Sequence, residues 1–270
     1  MKYSVLMPLW YKEDLKYLEQ SLTSMAMQTA KPDEIVMIQD HGITQEMSSL
    51  ITKISDQHHV EINIYQNFDL DGKGLSAILS YGVHKCRNEL IARMDTDDIA
   101  FPVRCEKELE VFQRYPHMAL VGGWITEFAD STDNVSGIRR VPEYKPEIIK
   151  FSKLRCPFNH PSVMFKKSVI LEVGNYDDKI RKAEDYDLWY RVLKSENDVY
   201  NIQESLLWFR SGKEQNKRRK DKAHYQARID VKRKMLSDCY LKRSEYLFIV
   251  LIEAINHYLP SNISSYFKQR

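Results

Sequence analysis

The sequence predicts an α/β protein with a mostly parallel central sheet flanked by helices, followed by a C-terminal helical extension. Three observations predict it. Strand-like apolar runs alternate with helix-periodic segments four times on the way to Asp95. The early runs, Tyr3–Trp10 and Glu34–Asp40, are almost continuously apolar, as in strands covered on both faces. Residues 210–243 hold 13 Lys or Arg against four Asp or Glu, although the whole chain carries only +2, so the tail differs chemically from the body. The expected division is 1–212 for the α/β domain and 213–270 for the basic, amphipathic helical extension.

Each element has its own signal. Tyr3–Pro8 reads as a first strand ending at a proline, and Leu15, Leu18, Leu22 and Met25 then recur at helical spacing. Pro32 ends that connection and Glu34–Asp40 forms a second strand. Met47, Leu50, Ile51 and Ile54 mark a second helix, and Glu61–Tyr65 a short strand. Gly72-Lys73-Gly74 opens a helix through Leu75, Ile78, Leu79 and Val83, which leads into the strand Glu89–Ala92. A helix over Val103, Leu109 and Phe112, a strand Ala119–Gly122, a strand Ser162–Phe165 and a helix Glu184–Leu193 follow, and the chain is helical from Glu214 to Tyr258. Alternation of this kind implies right-handed crossovers, with ligands gathering at the carboxyl ends of the strands. Pro8, Asp40 and Asp95 all lie at such ends.

Composition excludes several classes. With 270 residues, 43% of them hydrophobic, the chain can bury a sizeable core and is neither disordered nor fibrous. Cys86, Cys105, Cys156 and Cys239 form no CxxC pair, so neither a zinc site nor a disulfide framework is expected, and a reducing cytosol suits them. The first apolar run contains Pro8 and lacks a small-residue cleavage site, which argues against a signal peptide. Gly72-Lys73-Gly74 lacks the rest of a phosphate-cradling loop. His58, His59 and His117 receive no function.

The most informative stretch is Arg93-Met94-Asp95-Thr96-Asp97-Asp98. Alternate residues of a strand project to the same side, so Asp95 and Asp97 can aim at one point, where hard oxygen ligands suit Mg²⁺ or Mn²⁺ and hence a diphosphate. Asp98 is expected to cap or support this segment.

The order of the pieces resembles glycosyltransferase family 2, the inverting, non-processive enzymes of the GT-A fold, and especially bacterial members that build O-antigen and exopolysaccharide repeat units of the amylovoran type. The matching stretches are SVLMPLWYKE (4–13), QTAKPDEIVMIQD (28–40), GKGLSAILSYGVHKC (72–86), ARMDTDDIAFPVR (92–104), NHPSVMFKKSVI (159–170) and EDYDLW (184–189). The resemblance implies a nucleotide sugar, UDP-linked, as donor. It places the loop from Pro8 and the strand-end Asp40 on the base, Asp95 on the ribose and Asp97 on the Mn²⁺ or Mg²⁺ that bridges the diphosphate. It makes Asp185 the base that deprotonates the acceptor, with Glu184, His160 and Trp189 on the acceptor side. A hydrogen-bonded structural role competes for His160, and a helix N-cap for Asp185. For Arg93, an ion pair within the fold competes with a diphosphate contact. Relatives carry an arginine and a nearby histidine after the last strand. Here Arg210 and Lys213 stand in that region without a histidine, as candidate diphosphate contacts. The QxxRW motif of processive synthases and their long membrane helices are absent, so one transfer per encounter is expected.

The tail, with Lys217–Lys222 followed by the apolar Tyr246–Ile252, is too short to span a bilayer. It suggests attachment to an anionic cytoplasmic membrane surface, with packing onto the domain or a second subunit as the competing role. Nucleic acid is not an expected partner, since no aromatic stacking platforms are interleaved with the charges. The expected acceptor is a polyprenyl-diphosphate-linked saccharide, and the expected location is the inner face of the bacterial cytoplasmic membrane. Rival readings are a sugar nucleotidyltransferase, disfavoured because Pro8–Glu13 replaces a glycine-rich basic loop, and a membrane or nucleic-acid adaptor.

Overall fold

The structure, a computed structural model, describes residues 1–212 and 221–258. Lys213 and the expected helical stretch 214–220 lie outside them.

The strands β1 (Tyr3–Trp10), β2 (Glu34–Asp40), β3 (Ile62–Gln66), β4 (Leu90–Arg93), β5 (Ile99–Ala100), β6 (Met118–Phe128), β7 (Val135–Arg139), β8 (Met164–Lys166) and β9 (Asp198–Arg210) form one sheet in the order β3-β2-β1-β4-β8-β6-β9-β5, with β7 against β6. The first four strands are parallel to one another. Beyond β4 the sheet is mixed: β8 runs antiparallel to both β4 and β6, β6 and β9 are parallel, and β7 and β5 are antiparallel additions. The expected parallel sheet thus accounts for the first half. The helices α1 (Leu15–Ala26), α2 (Gln45–His58) and α3 (Leu75–Lys85) connect its strands, and α4 (Arg104–Arg114), α5 (Lys145–Ser152), α6 (Lys167–Glu172) and α7 (Glu184–Lys194) follow.

Burial follows the sequence pattern. Val5, Leu6, Met7, Ile35, Val36, Met37 and Ile38 have no exposed surface, because α1 and α2 cover one face of the sheet and α3 the other. Asp14 caps α1 by accepting from the N–H groups of Lys16 and Tyr17, and Thr44 caps α2. Gly82 lets α3 approach closely, since a Cβ there would lie 2.4 Å from Leu6 Cδ1 and 2.9 Å from Ile38 Cγ1.

Pro8 sits inside β1, opposite Ile38, and does not open the following loop. A proline disrupts a central strand by lacking an N–H. Here the β4 pairing has already ended at Leu6 opposite Arg93, so one side of Pro8 is free of a ladder. That divergence of β4 from β1 opens a crevice at the carboxyl ends of the strands.

The C-terminal helices α8 (Lys222–Ser237) and α9 (Arg243–Tyr258) pack against the body through a cluster of Tyr186, Tyr190, Val231, Met235, Leu241 and Ile249. The basic residues of α8 are largely committed to partners within the chain. Lys232 is fully enclosed and donates to Lys153 O at 2.6 Å and to the Tyr186 hydroxyl. Lys234 donates to the buried Asp187 at 2.7 Å, and Arg228 pairs with Glu253 at 3.0 Å. On these two helices the large exposed apolar side chains are those of α9, where Leu247, Phe248 and Leu251 are 63%, 61% and 59% exposed.

Candidate active site

Carboxylate oxygens of Asp95, Asp97 and Asp98 lie within 4.8 Å of one another where β4 leaves the sheet. Three elements hold this turn. The Ser21 hydroxyl of α1 donates to Asp95 O at 2.6 Å, and the Thr96 hydroxyl donates to Glu13 Oε2 at 2.7 Å. Arg210, at the end of β9, donates from its backbone N–H to Asp98 Oδ1 at 2.8 Å and from Nε to Asp97 O at 2.8 Å. Its Nη2 donates to Gln20 Oε1 at 2.9 Å, and the guanidinium stacks over Tyr17 at 3.8 Å and Phe128 at 4.6 Å. Arg210, expected as a diphosphate contact, also clamps the acidic turn.

The electrostatics of the turn follow from crowding. Burial, with the charges of Asp95 and Glu13 added, pushes the Asp97 carboxyl up to about 7. Asp98 is fully enclosed and is also raised well above its ordinary value, again by burial first and then by the charge of Asp97. Excess negative charge on hard oxygen donors fits a divalent cation, which would relieve the crowding. Arg93, 1% exposed, pairs with Asp95 at 2.5 Å. This ion pair is one of the two roles that the sequence leaves open for Arg93.

Asp40 ends β2 on the other side of β1, with Oδ1 3.1 Å from His41 Nδ1. His41 takes a left-handed φ of 77°, donates its N–H to Asp71, and lies with its ring 5.0 Å from that of Tyr11.

The acid pair opens α7. Ala183, with φ of 91°, turns the chain into the helix, a backbone setting that costs a residue with a Cβ of order 1–2 kcal/mol and concentrates at functional sites. Asp185 Oδ1 accepts its neighbour's N–H, from Tyr186, at 2.8 Å, and Cys156 donates to Oδ2 at 3.4 Å. Glu184 is pushed up to about 8 by burial and by the charge on Asp185. Arg93 opposes that rise and Asp95 adds to it, so the field of the acidic turn reaches the acid pair.

His160 and Trp189 lie beneath this surface. His160 Nε2 is 2.8 Å from the Tyr176 hydroxyl, and burial together with Arg93 lowers its pKa, which keeps the ring neutral. Trp189 has no exposed surface and packs edge-on against His160 and Phe158. As it stands, the expected direct acceptor contact of Trp189 is blocked by its enclosure; it supports the site from below. Glu13, Ser21, Gln20 and Cys156 were given no role from the sequence. They hold the site from positions remote in the chain, and only Glu13 falls in a stretch that the resemblance singled out.

Residues 4–172 match the family model described as Glycosyl transferase family 2. The chain belongs to that family. It is a glycosyltransferase, and the nucleotidyltransferase and adaptor readings lose their support. A β-1,3-galactosyltransferase of Escherichia coli, named for UDP-Gal and α-D-GlcNAc-diphosphoundecaprenol, is 32% identical over 266 residues, covering 98% of this chain and 94% of that one. The amylovoran biosynthesis glycosyltransferase AmsE of Erwinia amylovora is 28% identical over 272 residues, covering 99% and 98%. Among solved structures, residues 1–349 of S. aureus TarS with UDP share the fold at TM-score 0.68 and 14% identity, over 100% of this chain and 75% of that one. The mannosyltransferase PcManGT of Pyrobaculum calidifontis, with GDP-Man and Mn²⁺, matches at TM-score 0.66 and 11% identity, over 99% and 79%. These likenesses assign the GT-A fold.

Proposed function

We propose that this glycosyltransferase is a metal-dependent, inverting, non-processive enzyme that moves one hexose from a UDP-sugar to a polyprenyl-diphosphate-linked saccharide in O-antigen or exopolysaccharide synthesis. One observation carries the reading: three strand-end carboxylates converge at the crevice, in electrostatic reach of a second acid pair at the start of α7. Relatives named for a diphosphoundecaprenol acceptor and for amylovoran biosynthesis support the substrate class.

In this reading Asp40, opposite Trp10 at the end of β2, accepts a hydrogen bond from the uracil N–H, and Asp95 binds ribose hydroxyls. Asp97, with Asp98 and Asp95 beside it, holds Mn²⁺ or Mg²⁺. That ion, when bound, offsets the negative charge gathering on the departing diphosphate. Arg93 and Arg210 fix the carboxylates that do this work, one by pairing Asp95 and the other by clamping the turn. Asp185 takes the proton of the acceptor hydroxyl while that oxygen attacks the anomeric carbon opposite the leaving group. Burial first, and the charge of Asp185 second, raise Glu184 to about 8, which favours its protonated form at neutral pH.

Attachment to the cytoplasmic face of the membrane belongs to the same proposal. Among the described residues no helix is long and apolar enough to cross a bilayer. The exposed Leu247, Phe248 and Leu251, near Lys242 and Arg243 at the start of α9, fit an anionic interface. A functional division of the chain near residue 212 belongs to the same proposal, although α8 packs on α7.

The test is Asp185→Asn assayed with a panel of UDP-hexoses, Mn²⁺ and an undecaprenyl-diphosphate-linked sugar. Transfer should fall by roughly 10²–10⁴ while donor binding stays within about twofold. Turnover at the wild-type rate would remove Asp185 from the reaction.

A further inference from the structure

Cys156 is a half-buried cysteine that the reaction above leaves unused. It follows α5 in the segment Cys156-Pro157-Phe158, which is anchored to the sheet: Asn201 Nδ2 donates to Pro157 O at 3.2 Å, and Asn159 Nδ2 donates to Gly123 O at 2.9 Å. From that fixed place its sulfur lies 3.4 Å from Asp185 Oδ2 and 3.4 Å from Phe158 O. We propose that Cys156 is a positioning residue for Asp185, its thiol orienting the carboxylate toward the acceptor hydroxyl. The inference rests on the reading of Asp185 as the base and deepens it.

Three arguments support it. The terminal torsion of an aspartate is soft, so a carboxylate held through one oxygen can swing. Tyr186 N–H holds Oδ1, and the Cys156 thiol, whose single proton is shared between Oδ2 and Phe158 O, adds a contact on the second oxygen. Each carboxylate oxygen offers about two lone-pair sites, so a contact on each oxygen does not exclude further bonds. Finally, burial raises the Cys156 thiol well above its ordinary range, with the charge of Asp185 adding to the effect, so the sulfur keeps its proton and acts as a donor. Deprotonation would instead place a second anion beside Asp185.

The experiment combines vibrational spectroscopy with kinetics. In the Raman spectrum of the full chain, the S–H stretching band that disappears in Cys156→Ser should lie below the position of an exposed thiol. It should move up in Asp185→Ala. A band that does not respond to Asp185→Ala overturns the contact whatever the enzyme's activity. In the UDP-hexose assay, Cys156→Ala should lower kcat about tenfold with KM for the nucleotide sugar unchanged, and Cys156→Ser should return kcat to within about twofold of wild type. Wild-type kcat in Cys156→Ala alongside an inactive Asp185→Asn refutes the positioning role alone. A fully active Asp185→Asn refutes the base, while the Raman band still reports separately on the contact.

Discussion

Asp97→Asn separates stability from function at the acidic turn. The Asp97 carboxyl rises from 3.8 to about 7 in the folded chain without metal, through burial first and the charges of Asp95 and Glu13 next. A rise of about three units corresponds to about 4 kcal/mol of strain on the ionised form, at 1.36 kcal/mol per unit. Because the side chain is partly exposed, solvent screening reduces this to roughly 1–2 kcal/mol. The sign follows from the raised folded-state value: the contribution is complete below about pH 4 and is lost as pH rises through about 7. Asparagine keeps the shape without the charge. In chelator at pH 8 the variant should therefore melt roughly 3–6 °C above wild type, and this gain should shrink as the pH is lowered toward 4. Saturating Mn²⁺ should reverse the order, since a ligand at 100 times its Kd adds about 2.7 kcal/mol to the form that binds it, and Asp97→Asn should neither gain this nor transfer sugar. Thermal unfolding by circular dichroism, with and without Mn²⁺, measures both. A variant less stable than wild type in chelator at pH 8, or one that transfers sugar in proportion to Mn²⁺, would refute the reasoning.

Arg210→Lys keeps the charge but loses the planar fork over Tyr17 and Phe128; it should cost ~2 kcal/mol in urea unfolding and weaken Mn²⁺ binding about tenfold by titration calorimetry. Gly82→Ala should destabilise by ~1–2 kcal/mol, because its methyl collides with Leu6 and Ile38, and donor binding should be unchanged. The triple change of Leu247, Phe248 and Leu251 to Ser should leave the melting temperature nearly unaltered, since all three are exposed, while cutting cosedimentation with anionic vesicles by roughly 100-fold. Unchanged vesicle binding would remove α9 as the attachment element.

The sheet's first half was legible because local physics and tertiary context agree there. Apolar runs such as Glu34–Asp40 can only be buried strands, and Asp14 and Thr44 cap their helices through neighbours two or three residues away. The second half was less so. β6 runs to Phe128, six residues past the expected end, and β9 spans 13 residues with shifts of register against β6. Such bulges break the alternation by which a strand is recognised. The Met118–Phe128 and Asp198–Arg210 strands therefore owe their length to each other.

For the site, the strand-end position and alternate spacing of Asp95 and Asp97 were enough to nominate a cation site, whereas Asp40, Glu184 and Asp185 were nominated through the resemblance to glycosyltransferase family 2. Their surroundings could not be read that way. That Arg93 is spent on Asp95, that Arg210 clamps the turn, that Trp189 lies under the site and that Cys156 touches Asp185 are facts about residues 2 to more than 100 positions apart. The basic tail makes the same point, because Lys232 and Lys234 are buried or paired against Tyr186 and Asp187 in the fold. The sequence by itself determined which chemical groups and which periodicities exist. Only tertiary packing decided which charges are desolvated and paired, because burial and a partner's distance depend on chain segments that no local pattern brings together.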